Sequence, residues 1–288
     1  MTALSTQSKI AVTVVIPVKN EERNLPKCLS RLGRFAEIVV VDSGSTDRTE
    51  AISREAGAEY LLFKWDGRFP KKRNWVLQNR TFTTPWILFL DADEYVDEKF
   101  VDELAATLTA STHDGYWIQY SNFFMGKELK HGSPMRKLAL IRTGAGFYER
   151  IDENEWSKLD MEVHEHPVLS GTIGELATTV EHNDYKGLHA YIARHNDYSS
   201  WEAARVERLE QTPEAWSAFT KTQRKKYAAL SKWWLAPAYF VHSYIVKRGC
   251  LDGSAGLAFA IMKGIYFFQI RMKIMERRAS SARGNLTK

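Results

Sequence analysis

The chain has 288 residues, 44% of them hydrophobic and 26% charged, with no low-complexity run and no internal repeat, which excludes a disordered or repeat-built protein and suits one large domain with an appendage. Two cysteines exclude a disulfide framework. The net charge of +5 conceals an asymmetry: from Gln211 to Lys288, 14 lysines and arginines face 3 acids, a net of +11, whereas the first 210 residues carry 26 against 32, a net of −6.

The first nine residues, MTALSTQSK, are polar and read as a disordered arm. The apolar run IAVTVVIPV is followed by KNEE rather than by a small-residue cleavage site, so it reads as a buried strand and not as a signal peptide. Leu25, Cys28, Leu29 and Leu32 mark a short helix, with Cys28 in the core. EIVVVD is a second strand, and STDRTEAISREAGA a helix opened by Ser, Thr and Asp caps. YLLF is a third strand, 71–79 a helical stretch and WILFL a fourth strand. Val101, Leu104, Ala105 and Leu108 lie on one face of the next helix. Strand and helix in alternation argue for a mostly parallel sheet with helices on both sides, whose ligands bind outside the carboxyl ends of the strands. From Gly115 to about His182 the strands GYWIQYSNFF, RKLALIR and ELATTVEH predominate. Helical patterns return from Leu188 to about Leu209, and the basic tail follows.

Acids gather at the ends of the parallel strands: Glu21 and Glu22 after the first, Asp42 and Asp47 after the second, Asp91 and Asp93 after the fourth. Carboxylates this close repel one another and resist desolvation. Two of them spaced i, i+2 after a strand can reach one divalent cation, and oxygen ligands suit Mg²⁺ or Mn²⁺. Such a cation would also stabilise a departing diphosphate. Acids in a solvated first turn of a helix are the plainer reading of DAD by itself. Lys71, Lys72, Arg73 and Asn74 precede the fourth strand, where cations could meet phosphates or simply form a solvated face.

VTVVIPVKNEERNLPKCLSRL, IVVVDSGSTDRT, KKRNWVL and ILFLDADEYV, in that order and spacing, resemble the family-two glycosyltransferases. The resemblance covers roughly residues 11–105 and implies a Rossmann-like α/β fold of the A type, and an inverting, metal-dependent enzyme that uses a nucleotide sugar. It implies that Pro17, Asn20 and Glu21 line the nucleotide pocket, that Asp42 contacts the base, usually uracil, and that Arg73 lies near the phosphates. Asp91 and Asp93 would be the DxD pair, holding the metal and the sugar diphosphate. The second-strand signature commonly has two adjacent acids, and here Ser43 replaces the second, which loosens the reading of the base. EVHEHP, EHNDY, YIARHNDYSSWEA and GCLDGSAGLAFA resemble, more loosely, bacterial enzymes that include glucosyltransferases of the lipopolysaccharide inner core. On this reading the chain divides into an arm (1–9), a nucleotide-sugar half (10–110), an acceptor half (111–210) and a basic, aromatic-rich helical extension (211–288).

An inverting reaction needs a base on the acceptor side. Asp160, Glu162 and Glu165 are the candidates, and Glu165 is preferred because VHE recurs in the subgroup. His164 would orient that acid or bind acceptor. His182 is a candidate third metal ligand, with a hydrogen-bonded structural histidine as the alternative. In the tail, Lys232 and Lys247 bound one apolar segment and Lys263 interrupts the other, so neither reaches the roughly 20 residues that span a bilayer, and the pair suits a membrane interface or packing on the domain or in a dimer. The expected function is hexose transfer, glucose from UDP-glucose, onto a membrane-associated glycan such as lipopolysaccharide core, by a cytoplasmic protein peripheral on the inner membrane face. The alternatives are exopolysaccharide assembly on a polyprenyl-diphosphate-linked sugar and a non-enzymatic binder of anionic polymers. A nucleic-acid partner lacks any recognised module, an aspartyl phosphatase would carry its DxD after the first strand, and no GxGxxG supports dinucleotide chemistry.

Overall fold

The structure is a computed structural model that describes residues 9–132, 135–151, 157, 159–162, 165–212, 214, 216 and 219–286, with side chains as far as 282. Most of the expected arm, and His164, therefore lie outside the described residues. The chain forms two compact units, Met1–Phe123 with Pro134–Tyr185, and Phe124–Ser133 with Lys186–Lys288.

The first unit holds β1 (Ile10–Val18), α1 (Leu25–Ser30), β2 (Phe35–Asp42), α2 (Thr49–Glu55), β3 (Glu59–Leu62), α3 (Lys72–Asn79), β4 (Trp86–Phe89), β5 (Glu94–Tyr95), α4 (Glu98–Leu108) and β6 (Gly115–Phe124). After the short β7 (Lys127–Leu129) of the second unit, it resumes with β8 (Met135–Arg142), β9 (Gly146–Tyr148), β10 (Pro167–Leu169) and β11 (Ile173–His182). The main sheet has the order β3-β2-β1-β4-β8-β6-β11-β5, and β9 pairs with β10 separately. β1 runs parallel to β2 and β4, β2 to β3, and β6 to β11, whereas β8 is antiparallel to β4 and β6 and β5 is antiparallel to β11.

Side chains alternate across a strand, and the core follows that period. Val12, Val14 and Ile16 of β1 join Leu25, Leu29 and Phe100 of α1 and α4 on one face. Val15, Val39, Ile87 and Phe89 join Val76 of α3 on the other. Helices on both faces bury the parallel strands on two sides, as their near-continuous Val/Ile/Leu runs require. This is the mixed, largely parallel sheet of an A-type glycosyltransferase fold.

The second unit contains α5 (Gly187–Gln211), α6 (Lys221–Leu230), α7 (Leu235–Val241), a π-helical turn (His242–Val246), a 3₁₀ turn (Gly249–Asp252) and α8 (Gly253–Leu286). α5 packs its buried Ala203, Val206 and Leu209 against Tyr266, Ile270 and Ile274 of α8 and Tyr227 and Leu230 of α6. It therefore belongs with the tail, and the compact units divide at Tyr185 rather than near residue 210. The structure keeps the first short apolar segment of the tail but corrects the reading that Lys263 interrupts the second. α8 continues unbroken through Lys263, a residue that does not stop a helix. Gly249–Ala282 contains an 18-residue window with a mean hydropathy of 1.2, long and apolar enough to cross a membrane by length and composition.

Candidate active site

The parallel register of β1, β2 and β4 sets Val18 beside Asp42 and Val15 beside Phe89, so the three strands deliver their following residues to one edge. Pro17 is buried in β1 beyond Val15, the last residue that β1 pairs with β4, where the ladder on that side no longer needs its N–H. Asn20 adopts a left-handed φ of 55°, a conformation that asparagine tolerates. Its backbone N–H donates to Ser45 Oγ at 2.7 Å, and its Oδ1 accepts from Thr46 N at 2.8 Å. Glu21 Oε2 accepts from Asn24 Nδ2 at 2.9 Å. Asp42 is buried, with Oδ1 accepting from Ser45 Oγ at 2.7 Å and Oδ2 from Tyr60 OH at 2.8 Å. The β1 and β2 ends are thus tied to each other by side chains from both loops.

The acids after β4 are met by cations from three other elements. Asp91 Oδ1 accepts from Arg73 Nη2 at 2.7 Å, and Asp91 Oδ2 lies 2.5 Å from Lys137 Nζ. Lys137 Nζ also contacts Glu94 Oε1. Burial works to raise the Asp91 carboxyl, but Lys137 and then Arg73 outweigh it and hold it well below the usual carboxylate range. Glu94 is fully buried, and there burial prevails over Lys137 and moves its carboxyl upward. The direction of β8 explains Lys137: an antiparallel neighbour enters the sheet where β4 leaves it, so its third residue arrives beside the acids.

His182 arrives in the same way. β5 follows the DAD turn and pairs with the end of β11, His182 opposite Glu94. His182 Nε2 stands 3.5 Å from Asp93 Oδ2, and Nδ1 lies 3.0 Å from Asn122 Oδ1 on neighbouring β6. Burial alone would lower the imidazole, but the Asp93 charge raises it, while His182 in turn holds Asp93 low. An Nδ1–H donated to Asn122 aims the Nε2 lone pair at a carboxylate, so a proton or a metal ion is needed between them. That donor set, one carboxylate oxygen and one imidazole nitrogen, fits Mg²⁺ or Mn²⁺ when oxygens of a bound diphosphate complete the shell. Among the described residues no group of three or more His, Cys, Asp or Glu forms a metal cage by itself. Asp91, whose two oxygens face cations, could join only by exchanging one of them.

The first turn of α3 gathers the three candidate bases. Lys71 Nζ bonds Glu165 Oε1 at 2.9 Å, with both side chains buried. Lys72 Nζ lies 3.4 Å from Asp160 Oδ2 and donates to Val18 O at 2.7 Å. Glu162 accepts from Arg73 N at 2.9 Å and Asn74 N at 3.0 Å, which caps the helix. Burial raises the Glu162 carboxyl despite Arg73. Lys71, Lys72, Arg73 and Asn74 are all buried, so they are not a solvated face. Arg73 reaches Asp91 from this turn, and its buried Nε has no hydrogen-bond partner among the described residues. The α3 turn thus connects the Asp91 group with the 160–165 segment. Lys137 and Asn122 are not legible as site residues, because the strand pairing that brings them in has no local sequence signal, whereas Glu94 belongs to the acid run itself.

The sequence model of the family described as glycosyl transferase family 2 matches residues 13–164. Over nearly its whole length the chain is 28% identical to the lipopolysaccharide core biosynthesis glycosyltransferase LpsC of Rhizobium meliloti, with 96% of this chain and 97% of the relative covered. It is 22% identical to an uncharacterized glycosyltransferase of Rickettsia felis, covering 96% of this chain and 95% of that protein. Among solved structures, S. aureus TarS in complex with UDP-GlcNAc matches with a TM-score of 0.44 and 16% identity, over 93% of this chain and 92% of that one.

Proposed function

The chain belongs to glycosyl transferase family 2, and we propose that it moves a hexose, glucose from UDP-glucose, with inversion onto a lipid-linked glycan of the lipopolysaccharide-core type at the inner face of the cytoplasmic membrane. The observation that carries the acceptor class is the end-to-end similarity to a lipopolysaccharide core glycosyltransferase, which extends past the family region into the helical unit.

Pro17, Asn20, Glu21 and Asp42 take the nucleoside, and Asp42 is held by Ser45 and Tyr60 at the strand end where a base would be read. Arg73 and Lys137, already seated on Asp91, face the diphosphate. Asp93 and His182 would hold Mg²⁺ or Mn²⁺, with Asp91 as the further candidate ligand beside them. The bound metal supplies positive charge to the departing diphosphate. Glu165, positioned by Lys71, accepts the proton of the acceptor hydroxyl. That oxygen bonds to the anomeric carbon on the face opposite the diphosphate, whose bond breaks as UDP leaves.

The test is a transfer assay with purified protein and UDP-, GDP- and dTDP-hexoses. Acceptors are core-truncated lipopolysaccharide and a polyprenyl-diphosphate sugar, with and without EDTA. Transfer from UDP-glucose to the truncated lipopolysaccharide, abolished by EDTA, is expected. Transfer only to the polyprenyl-diphosphate sugar would replace the acceptor, and EDTA-resistant turnover would remove the metal.

A further inference from the structure

We infer that the α7–α8 hairpin carries a membrane-interface face, on which the protein lies along an anionic bilayer without crossing it. This deepens the peripheral-membrane part of the proposed function but stands on the geometry of the helical unit alone.

Leu257, Ile261, Ile265, Phe268, Met272 and Met275 are all exposed on α8, between 38% and 48%. At 3.6 residues per turn they fall within roughly 80° of the helix circumference and form a stripe about 27 Å long. Lys263, which interrupts this run in sequence, is turned off the stripe and lies over the rings of Phe259 and Tyr266. α7 packs beside α8, with Tyr239 against Phe267 and the preceding Trp233 against Phe268. Trp234 before α7, Val241 at its end, and Ile245 and Val246 of the π-helical turn are each exposed as well. An exposed apolar stripe of this length is unusual for a face left in water.

Charge selects the occupant. Lys232 precedes α7, Lys247 and Arg248 are exposed in the turn between the helices, and Arg271 flanks the stripe with its guanidinium over the Trp233 ring. None of these four has a carboxylate partner among the described residues, and Arg271 Nε and Nη1 are buried without a hydrogen-bond partner. A second copy docked face to face would bring the same cations together. Phosphates of an anionic leaflet would instead pair with them, and tryptophan suits the headgroup level.

The opposite side of α8 explains why the helix does not cross. Lys273 Nζ bonds Asn196 Oδ1 at 2.8 Å and Ser199 Oγ at 2.8 Å, and Arg277 pairs with Glu207 at 2.6 Å, all on α5. A spanning α8 would carry α5 and these polar groups into hydrocarbon, where each is costly.

The test is co-sedimentation with vesicles of phosphatidylcholine, with and without phosphatidylglycerol, followed by carbonate washing. Neither donor nor acceptor is needed, so the outcome is separate from that of the transfer assay. The full chain should bind phosphatidylglycerol vesicles at least tenfold better than neutral ones and be released by carbonate. Ile265→Glu/Phe268→Glu should lose binding more than tenfold, and Lys232→Glu/Lys247→Glu should lose the preference for anionic lipid. Wild-type-like binding by the apolar-face variant would overturn the inference. So would carbonate-resistant insertion, or a non-binding full chain that is dimeric and becomes monomeric in that variant.

Discussion

Lys137 Nζ lies 2.5 Å from Asp91 Oδ2, and the same ammonium reaches Glu94. One lysine from an antiparallel strand therefore compensates two of the acids that end β4. The carboxylates are tolerable because each has a counter-charge: Asp91 has Arg73 and Lys137, Glu94 has Lys137, and Asp93 has His182.

Removing that lysine should cost both stability and turnover. Lys137→Met leaves Asp91 with Arg73 alone and Glu94 buried without its cation. With the Lys137 side chain 31% exposed, the loss should be about 2 kcal/mol in urea unfolding, less than for a fully buried pair. Lys137→Arg should recover most of the stability. Equal unfolding midpoints for Lys137→Met and the wild type would show that the lysine compensates nothing.

The Asn122 contact should govern metal affinity. Asn122→Leu removes the acceptor at His182 Nδ1 without touching Asp93. Mn²⁺ affinity, measured by titration in the presence of UDP, should fall roughly 10- to 100-fold. His182→Ala should lower it further. Unchanged affinity in both variants would assign His182 to a structural hydrogen bond.

The three acids after residue 159 should separate by phenotype. Glu162→Gln weakens a cap on α3, so about 1 kcal/mol of stability should be lost. Glu165→Gln keeps the shape but removes proton acceptance, and turnover should fall by roughly 10²-fold or more with donor affinity retained. An active Glu165→Gln beside an inactive Asp160→Asn would move the base to Asp160.

Acid should destabilise the helical unit through His195. Burial, then Lys263, and more weakly Arg194, lower this imidazole from 6.5 to about 4, despite its bond to the Tyr191 carbonyl. Between those values the unfolded chain binds a proton that the folded one refuses, so stability falls as pH drops from 6.5 towards 4 and is level above that window. The loss should be about 2 kcal/mol. His195→Phe, which keeps an aromatic ring near Tyr191, Tyr198 and Tyr266, should flatten the slope. An unchanged slope would refute the assignment.

Much of this architecture is legible in the sequence. Every parallel strand at 10–110 appears near its expected place, because buried β-branched runs and short helical faces give strong local signals. His182 stands 3.5 Å from Asp93, whereas Asp91 is engaged by Arg73 and Lys137. What is not legible depends on strand reversal and on long-range pairing. Lys137 sits in RKLALIR, where nothing local shows that β8 runs against β4. The two-residue β5, which aligns His182 with the acids, is too short for any periodic signal. Lys71, Lys72 and Arg73 look like a solvated run because their partners Glu165, Asp160 and Asp91 are distant in the chain. The two apolar segments of the tail are both present, but Lys263 reads as a break in the second because a lysine at one position says nothing about which side of a helix it faces.

The most direct test of the central claim is the turnover of Asp93→Ala with UDP-glucose and truncated lipopolysaccharide, measured across an Mn²⁺ titration beside its thermal unfolding midpoint. The account predicts a midpoint close to that of the wild type, no transfer at any metal concentration, and wild-type transfer that excess EDTA abolishes. Wild-type turnover in Asp93→Ala, or full wild-type activity in excess EDTA, would contradict it.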